Sequence, residues 1–148
     1  MPFALKPGDA VTYEGADYLV TAQRGCRDAS FAWQEWRLAD AATGAHVWAV
    51  AIGEGGEWLG VLRDCMVDAG SVGAQTIRVD GVSFALAKSG RANVALVDQS
   101  GRAQYDRMDY WHYAAEDGVR LIVLKARTGT EAKRGGPVAP DDLRIYPV

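Results

Sequence analysis

The second half of this chain repeats the pattern of the first. Val11-Thr12-Tyr13-Glu14-Gly15-Ala16-Asp17-Tyr18-Leu19-Val20 is matched, sixty-six residues on, by Ile77-Arg78-Val79-Asp80-Gly81-Val82-Ser83-Phe84-Ala85-Leu86. An offset of seventy-five then aligns Trp36 with Trp111 and Leu38 with Tyr113. One residue less aligns Gly44 with Gly118 and Val47-Trp48-Ala49-Val50 with Leu121-Ile122-Val123-Leu124. The matches fall on turn glycines and on alternate apolar positions, in the same order over four segments. Such self-similarity points to a duplicated unit whose copies bury a face against each other.

The unit itself reads as β structure. Glu14-Gly15, Thr43-Gly44, Asp80-Gly81, Ser100-Gly101 and Asp117-Gly118 each separate apolar-rich runs and supply the positive-φ residue a tight hairpin needs. The flanking runs alternate with period two, and sustained helical periodicity is absent. Strands are expected near 10–14, 17–23, 31–40, 45–52 and 57–62, then near 75–79, 82–88, 92–98, 103–115, 118–126 and 142–146. Residues 64–73 read as the connection between halves, and 128–142, with three glycines and two prolines, as an exposed loop. The expected fold is all-β: two pseudo-repeated antiparallel β-meander halves, about 1–66 and 74–148, packed as a sandwich or as tandem small barrels in one compact domain of 148 residues. A chain this long buries ~70% of its unfolded surface and needs neither disulfide nor metal to fold.

Charge narrows the function classes. A formal net charge of −3 with scattered basic residues argues against nucleic-acid binding. The densest basic cluster, Lys125 to Arg134, is interrupted by Glu131 and reads as a solvated loop. No run reaches the eighteen or so apolar residues of a membrane helix, and Met1-Pro2-Phe3-Ala4-Leu5-Lys6-Pro7 lacks the pattern of a signal peptide. A cytoplasmic location is expected, with Cys26 and Cys65 as free, small, buried thiols.

The residues also carry a family resemblance. Leu5-Lys6-Pro7-Gly8-Asp9-Ala10-Val11 with Tyr18-Leu19-Val20, Trp33-Gln34-Glu35-Trp36-Arg37-Leu38, then Gly44 and Trp48, resemble the bacterial domain-of-unknown-function family 4178. Gly81, Phe84, Leu86, Gly90 and Ala92 match its second-half pattern, and Asp109-Tyr110 and Val138-Ala139-Pro140-Asp141-Asp142-Leu143-Arg144-Ile145 suit it. The resemblance spans almost the whole chain. It implies a bacterial protein, some members lying near genes for membrane-stress proteins or polyamine synthase-like enzymes, and it brings no activity. Trp36 and Phe84 stand where the family favours tyrosine, which implies packing rather than hydroxyl chemistry at those positions.

Glu35 is the sharpest candidate for chemistry. On an alternating strand it shares a face with Phe31, Trp33 and Arg37, where partial desolvation would raise its pKa toward that of a general base. Pairing with Arg37 or a cross-strand cation is the favoured alternative. His112, beside Tyr110, is the second weak catalytic candidate. His46, His112, Cys26 and Cys65 lack the close spacing of a zinc site, so neither metal nor cofactor is expected. Gly53-Glu54-Gly55-Gly56 lacks a phosphate loop's Lys-Ser/Thr ending and reads as a hairpin loop. Five tryptophans exceed the needs of one core. Trp36, Trp48 and Trp111 suffice as anchors, leaving Trp33 and Trp58 for an exposed aromatic patch.

The expectation is therefore a binding module without catalysis, engaging a protein partner through Trp33, Glu35, Trp58, Tyr110 and His112, with a homodimer allowed. One competing expectation is an enzyme using Glu35 and His112 in a cleft between the halves. Another is a small-molecule or glycan module using exposed aromatics.

Overall fold

The computed structural model describes residues 4–146, so the start of the segment read for a signal peptide, Met1 to Phe3, lies outside the described residues. Among the described residues there are eleven strands and two short 3-10 turns: β1 (Ala10–Tyr13), β2 (Ala16–Asp28), β3 (Phe31–Asp40), β4 (His46–Ile52), β5 (Trp58–Cys65), β6 (Thr76–Val79), β7 (Val82–Asp98), β8 (Ala103–Ala114), β9 (Arg120–Ala126), β10 (Gly129–Pro137) and β11 (Arg144–Tyr146), with 3-10 turns at Ala69–Ser71 and Pro140–Asp142. All strand pairings are antiparallel. In the order β2-β3-β4-β5-β10-β9-β8-β7 the sheet returns to β2, closing an eight-stranded barrel. The expected sandwich or pair of small barrels is thus replaced by one barrel to which both ends of the sequence contribute four strands. Closure satisfies edges that either open meander would leave bare.

The two long strands each serve two purposes. The first part of β2 pairs with β1 and the rest with β7, while the first part of β7 pairs with β6. The β2–β3 ladder shifts register between Val20 and Ala22, and the β7–β8 ladder between Leu86 and Lys88. Each bulge adds twist where its strand leaves the barrel wall to join an outer ribbon. β11 extends the first ribbon by pairing with β1.

Two expectations need correction. Residues 82–88 and 92–98 form the single strand β7, because the Ala87 bulge absorbs the break in alternation around Ser89-Gly90. Residues 129–137, expected to lie in an exposed loop, form the barrel strand β10. Its glycines are there for close approach: a Cβ on Gly135 would stand 1.9 Å from the Val61 carbonyl oxygen, and one on Gly60 would stand 2.6 Å from that of Gly136. The β5–β10 seam closes only because both strands carry glycine at the crossing.

Three apolar clusters follow from this geometry. The barrel interior holds Cys26, Trp33, Trp48, Val50, Ile52, Leu62, Ala92, Val94, Tyr110, Ile122 and Leu124. Outside the wall, Trp36, Leu38, Val47 and Ala49 pack under the β1 ribbon with Val11, Tyr18 and Val20. Tyr113, Leu121 and Val123 pack in the same way under β6 with Ile77, Val79 and Phe84. Trp36 donates from Nε1 to the Leu5 carbonyl at 3.0 Å, tying the N-terminal segment to β3. Here an indole N–H does what a tyrosine hydroxyl could do.

Candidate functional site

Alternation on β3 sends Trp33 and Glu35 into the barrel, and Glu35 has no solvent exposure. Two cations meet it there. Arg24, on β2, donates from Nε at 2.9 Å and from Nη2 at 2.6 Å to Glu35 Oε1. Lys133 Nζ, on β10 and also fully buried, lies 2.9 Å from the same oxygen. Trp33 Nε1 donates to Oε2 at 2.8 Å. Glu131 completes the set at the barrel mouth. It accepts from Arg24 Nη1 at 3.0 Å and Nη2 at 2.6 Å and from Lys133 at 3.1 Å, with 40% of its side chain exposed. The Trp48 ring lies beneath both cations, 4.9 Å from the Arg24 guanidinium carbon and 4.6 Å from Lys133 Nζ.

The electrostatics follow from this pairing. Burial by itself raises the Glu35 pKa, but the charges of Lys133 and Arg24, with hydrogen bonds from Lys133 and Trp33, outweigh it and bring the value down to about 2. A carboxylate held that far down is a poor proton acceptor near neutrality, so the geometry gives Glu35 the work of a counter-ion rather than a general base. Burial also works against ionised Glu131, but Arg24 and Lys133 keep its pKa below the ordinary range. The Lys125–Arg134 cluster, read as a solvated loop, therefore sends Lys133 into the core.

His112 is buried beside this network, and neither of its ring nitrogens has a hydrogen-bond partner among the described residues. It lies edge-on to Trp33 at 4.4 Å and to Phe31 at 5.1 Å between ring centroids. Burial pushes its pKa down to about 3, which keeps it neutral at ordinary pH. Tyr110, also interior, donates its hydroxyl to Asp28 at 2.7 Å. The structure thus brings Trp33, Glu35, Tyr110 and His112 together, inside the barrel rather than in an open cleft. Trp33 is 1% exposed. Trp58 is partly buried, with Nε1 donating to the Gly118 carbonyl at 3.2 Å. The exposed patch expected of these two tryptophans is absent because alternation turns Trp33 inward and Trp58 folds over Gly60.

Among the described residues, no three His, Cys, Asp or Glu side chains converge as a metal site would need. His46 Nε2 donates to Asp64 Oδ2 at 2.6 Å on the outer rim, and among the described residues it bonds to neither cysteine.

A second surface was not anticipated from the sequence. On the outer face of β3-β2-β7-β8, a trough of about 760 Å³ has a floor of small residues, Ala32, Gly25 and Ala95. Gln34, Asn93, Tyr105 and Arg107 form its walls. The side chains of Asn93, Tyr105 and Arg107 have no hydrogen-bonding or ionic partner among the described residues, and Tyr105 is 80% exposed. The trough exists because the β7–β8 hairpin is long. Thirteen residues lie between the paired Asn93 and Arg107, whereas four lie between the paired Arg27 and Ala32 of β2–β3. That difference of nine is the step from sixty-six to seventy-five in the repeat offsets, the one sequence signal that pointed here.

The model of one family, described as Domain of unknown function (DUF4178), matches residues 6–140 of the chain. No curated protein and no solved structure matches it.

Proposed function

Since this chain belongs to the DUF4178 family, whose description assigns no activity, we propose its role from geometry: a non-catalytic binding module that presents the outer trough of β3-β2-β7-β8 to a segment of a partner protein. The observation that carries this reading is the set of unengaged polar side chains, Asn93, Tyr105 and Arg107, standing over a floor of glycine and alanine. Free hydrogen-bonding groups around a flat, small-residue floor suit an extended chain or a planar polar ligand. The interior ions, in contrast, are fully engaged with one another.

Duplication supports the choice of surface. The registers β1–β2 and β6–β7 superpose under the offset of sixty-six, Val11↔Tyr18 on Ile77↔Phe84. Their bulges fall at equivalent places, around Thr21 and Ala87. β5 pairs with β10 and β2 with β7, so each seam joins a strand to its own counterpart, as two copies about a twofold axis would. On this reading Gly25 occupies the position of Arg91, since Gly25↔Gln34 matches Arg91↔Asp109. Arg91 covers its stretch of wall by pairing with Asp109 at 3.1 Å, while Gly25 leaves a hollow. The trough is where the copies differ in both length and side-chain size, which is where a function acquired after duplication would sit.

Gly25→Arg tests the reading, because it copies the covered arrangement of the other half. Gly25 is not in the left-handed region, and its nearest neighbour is the flexible Gln34 side chain. The variant should keep the native melting temperature and lose a partner that co-purifies with the wild type from the producing cell. Equal retention of the partner by both proteins would overturn the proposal. A glycan or other small polar ligand in the same trough is the second reading, favoured by exposed Tyr105. It predicts amide chemical-shift changes at Gly25 and Ala95 on titration with soluble oligosaccharides.

A further inference from the structure

The trough lies on a sheet face, and the arm that builds it also carries a bare edge. β8 pairs with β7 along its whole length but with β9 only from Asp109 onward. Ala103 to Arg107 therefore present one side of their backbone to no strand among the described residues, and all five are exposed. No proline interrupts this segment, and the β7–β8 register runs without a bulge from Lys88 to Val97. Of the devices by which edge strands are blunted, proline and bulges are missing, and charge is limited to Asp106 and Arg107, which are of opposite sign.

We infer that this edge is an interface with a second copy of the chain, the two β8 strands pairing antiparallel about a twofold axis at Tyr105. The register follows from parity and from charge. Val94, which points into the barrel, pairs with Asp106, and Ala95 with Tyr105, so odd-numbered residues of the arm face outward. A twofold axis perpendicular to a sheet keeps each face on its own side, which requires every residue to meet one of the same parity. Centring the axis on Asp106 would set two carboxylates opposite each other, a destabilising pair. It would also set Ala103 against Asp109, whose edge β9 already occupies. Centring it on Tyr105 uses the free segment in full. Tyr105 then meets Tyr105 of the second copy, Ala103 meets Arg107, and Gln104 meets Asp106, an amide donor opposite a carboxylate. Arg107, without an ionic partner in one chain, lies diagonal to the second tyrosine, within reach of a cation–π contact. The outer rows Gln34-Gly25-Ala95-Tyr105 of the two copies become continuous, so the pairing lengthens the trough instead of covering it.

Sedimentation equilibrium of the full chain over micromolar to millimolar concentration tests this. The expected result is a mass approaching that of two chains, with Tyr105→Lys returning it to one while the melting temperature stays put. In a Cys65→Ser background, Tyr105→Cys should oxidise to a covalent dimer, whereas Ser100→Cys at the hairpin tip should not. A single-chain mass at every concentration overturns the inference. So does a two-chain mass for which Tyr105→Cys fails to cross-link, because the contact then lies elsewhere. Neither result touches the trough reading, which stands or falls with Gly25→Arg.

Discussion

Lys133 and Glu35 meet in the barrel interior at 2.9 Å, ninety-eight positions apart in sequence and both without solvent exposure. The contact joins β10 to β3 across the lumen, so it forms only once the barrel has closed. Burying two charges costs several kcal/mol per ion, offset here by Arg24, Trp33 and Glu131. Glu35→Gln leaves Arg24 and Lys133 short of their shared counter-charge. It should lower unfolding stability by about 3–5 kcal/mol in urea titrations. Glu35→Leu combined with Lys133→Met should cost less than the sum of the two single changes.

His112 gives a prediction with a definite sign. Its folded pKa of about 3 lies below the unfolded value of ~6.5. Between these values the unfolded chain binds a proton that the folded chain refuses, so stability falls as pH is lowered from 6.5 toward 3, by up to about 1.4 kcal/mol per pH unit. Glu35 adds its own loss lower down, as pH drops below ~4.5 toward its folded value of about 2. His112→Phe should abolish the upper part of the acid slope, and at neutral pH it should be neutral or stabilising because two unsatisfied nitrogens leave the core. An unchanged slope between pH 6.5 and 4.5 would show that some other group carries it.

The glycine seam can be tested against a tolerant glycine. Gly135→Ala places a methyl 1.9 Å from a backbone oxygen, whereas Gly25→Ala meets only the Gln34 amide at 3.2 Å. Gly135→Ala should cost about 3 kcal/mol or more by thermal or denaturant unfolding. Gly25→Ala should stay within roughly 0.5 kcal/mol of wild type, as surface changes do.

The cysteines should differ in reactivity. Cys26 is 2% exposed and burial pushes its thiol pKa well up, while Cys65 is half-buried with a smaller rise of the same origin. A thiol reagent should modify Cys65 slowly in the native protein and Cys26 only on unfolding. Fast labelling of Cys26 would mean that the β2–β7 seam opens readily.

Much of this architecture was legible because turn glycines and two-residue alternation are local. β3 was expected at 31–40 and is found there, and alternation alone put Trp33 and Glu35 on one face, but it did not say that this face points inward: Trp33 was expected in an exposed patch and is buried. β10 escaped because its own signals mislead. Gly135-Gly136-Pro137 resembles a loop, and Lys133 occupies an interior position where an apolar residue is expected. Glu35 could be singled out, but its partners could not. Nothing near it in sequence marks Arg24 or Lys133, and their meeting depends on a ring closure that no window of residues encodes. The trough depended likewise on a hairpin length whose meaning emerges only once β2 is seen against β7.

The pairing of β5 with β10 also governs how the chain is made. As the polypeptide leaves the ribosome, β5 is complete at Cys65 and can pair with β4, but the partners of its other edge begin at Ala132. Throughout the synthesis of residues 66–131 the growing sheet therefore carries a bare β5 edge, with Leu62 uncovered and the future lumen open to water. Folding to the native state waits for almost the last strand, and any release of the chain before Pro137 yields a sticky open sheet rather than a smaller stable protein. A premature stop within β10 should thus be about as damaging to soluble yield as one within β6.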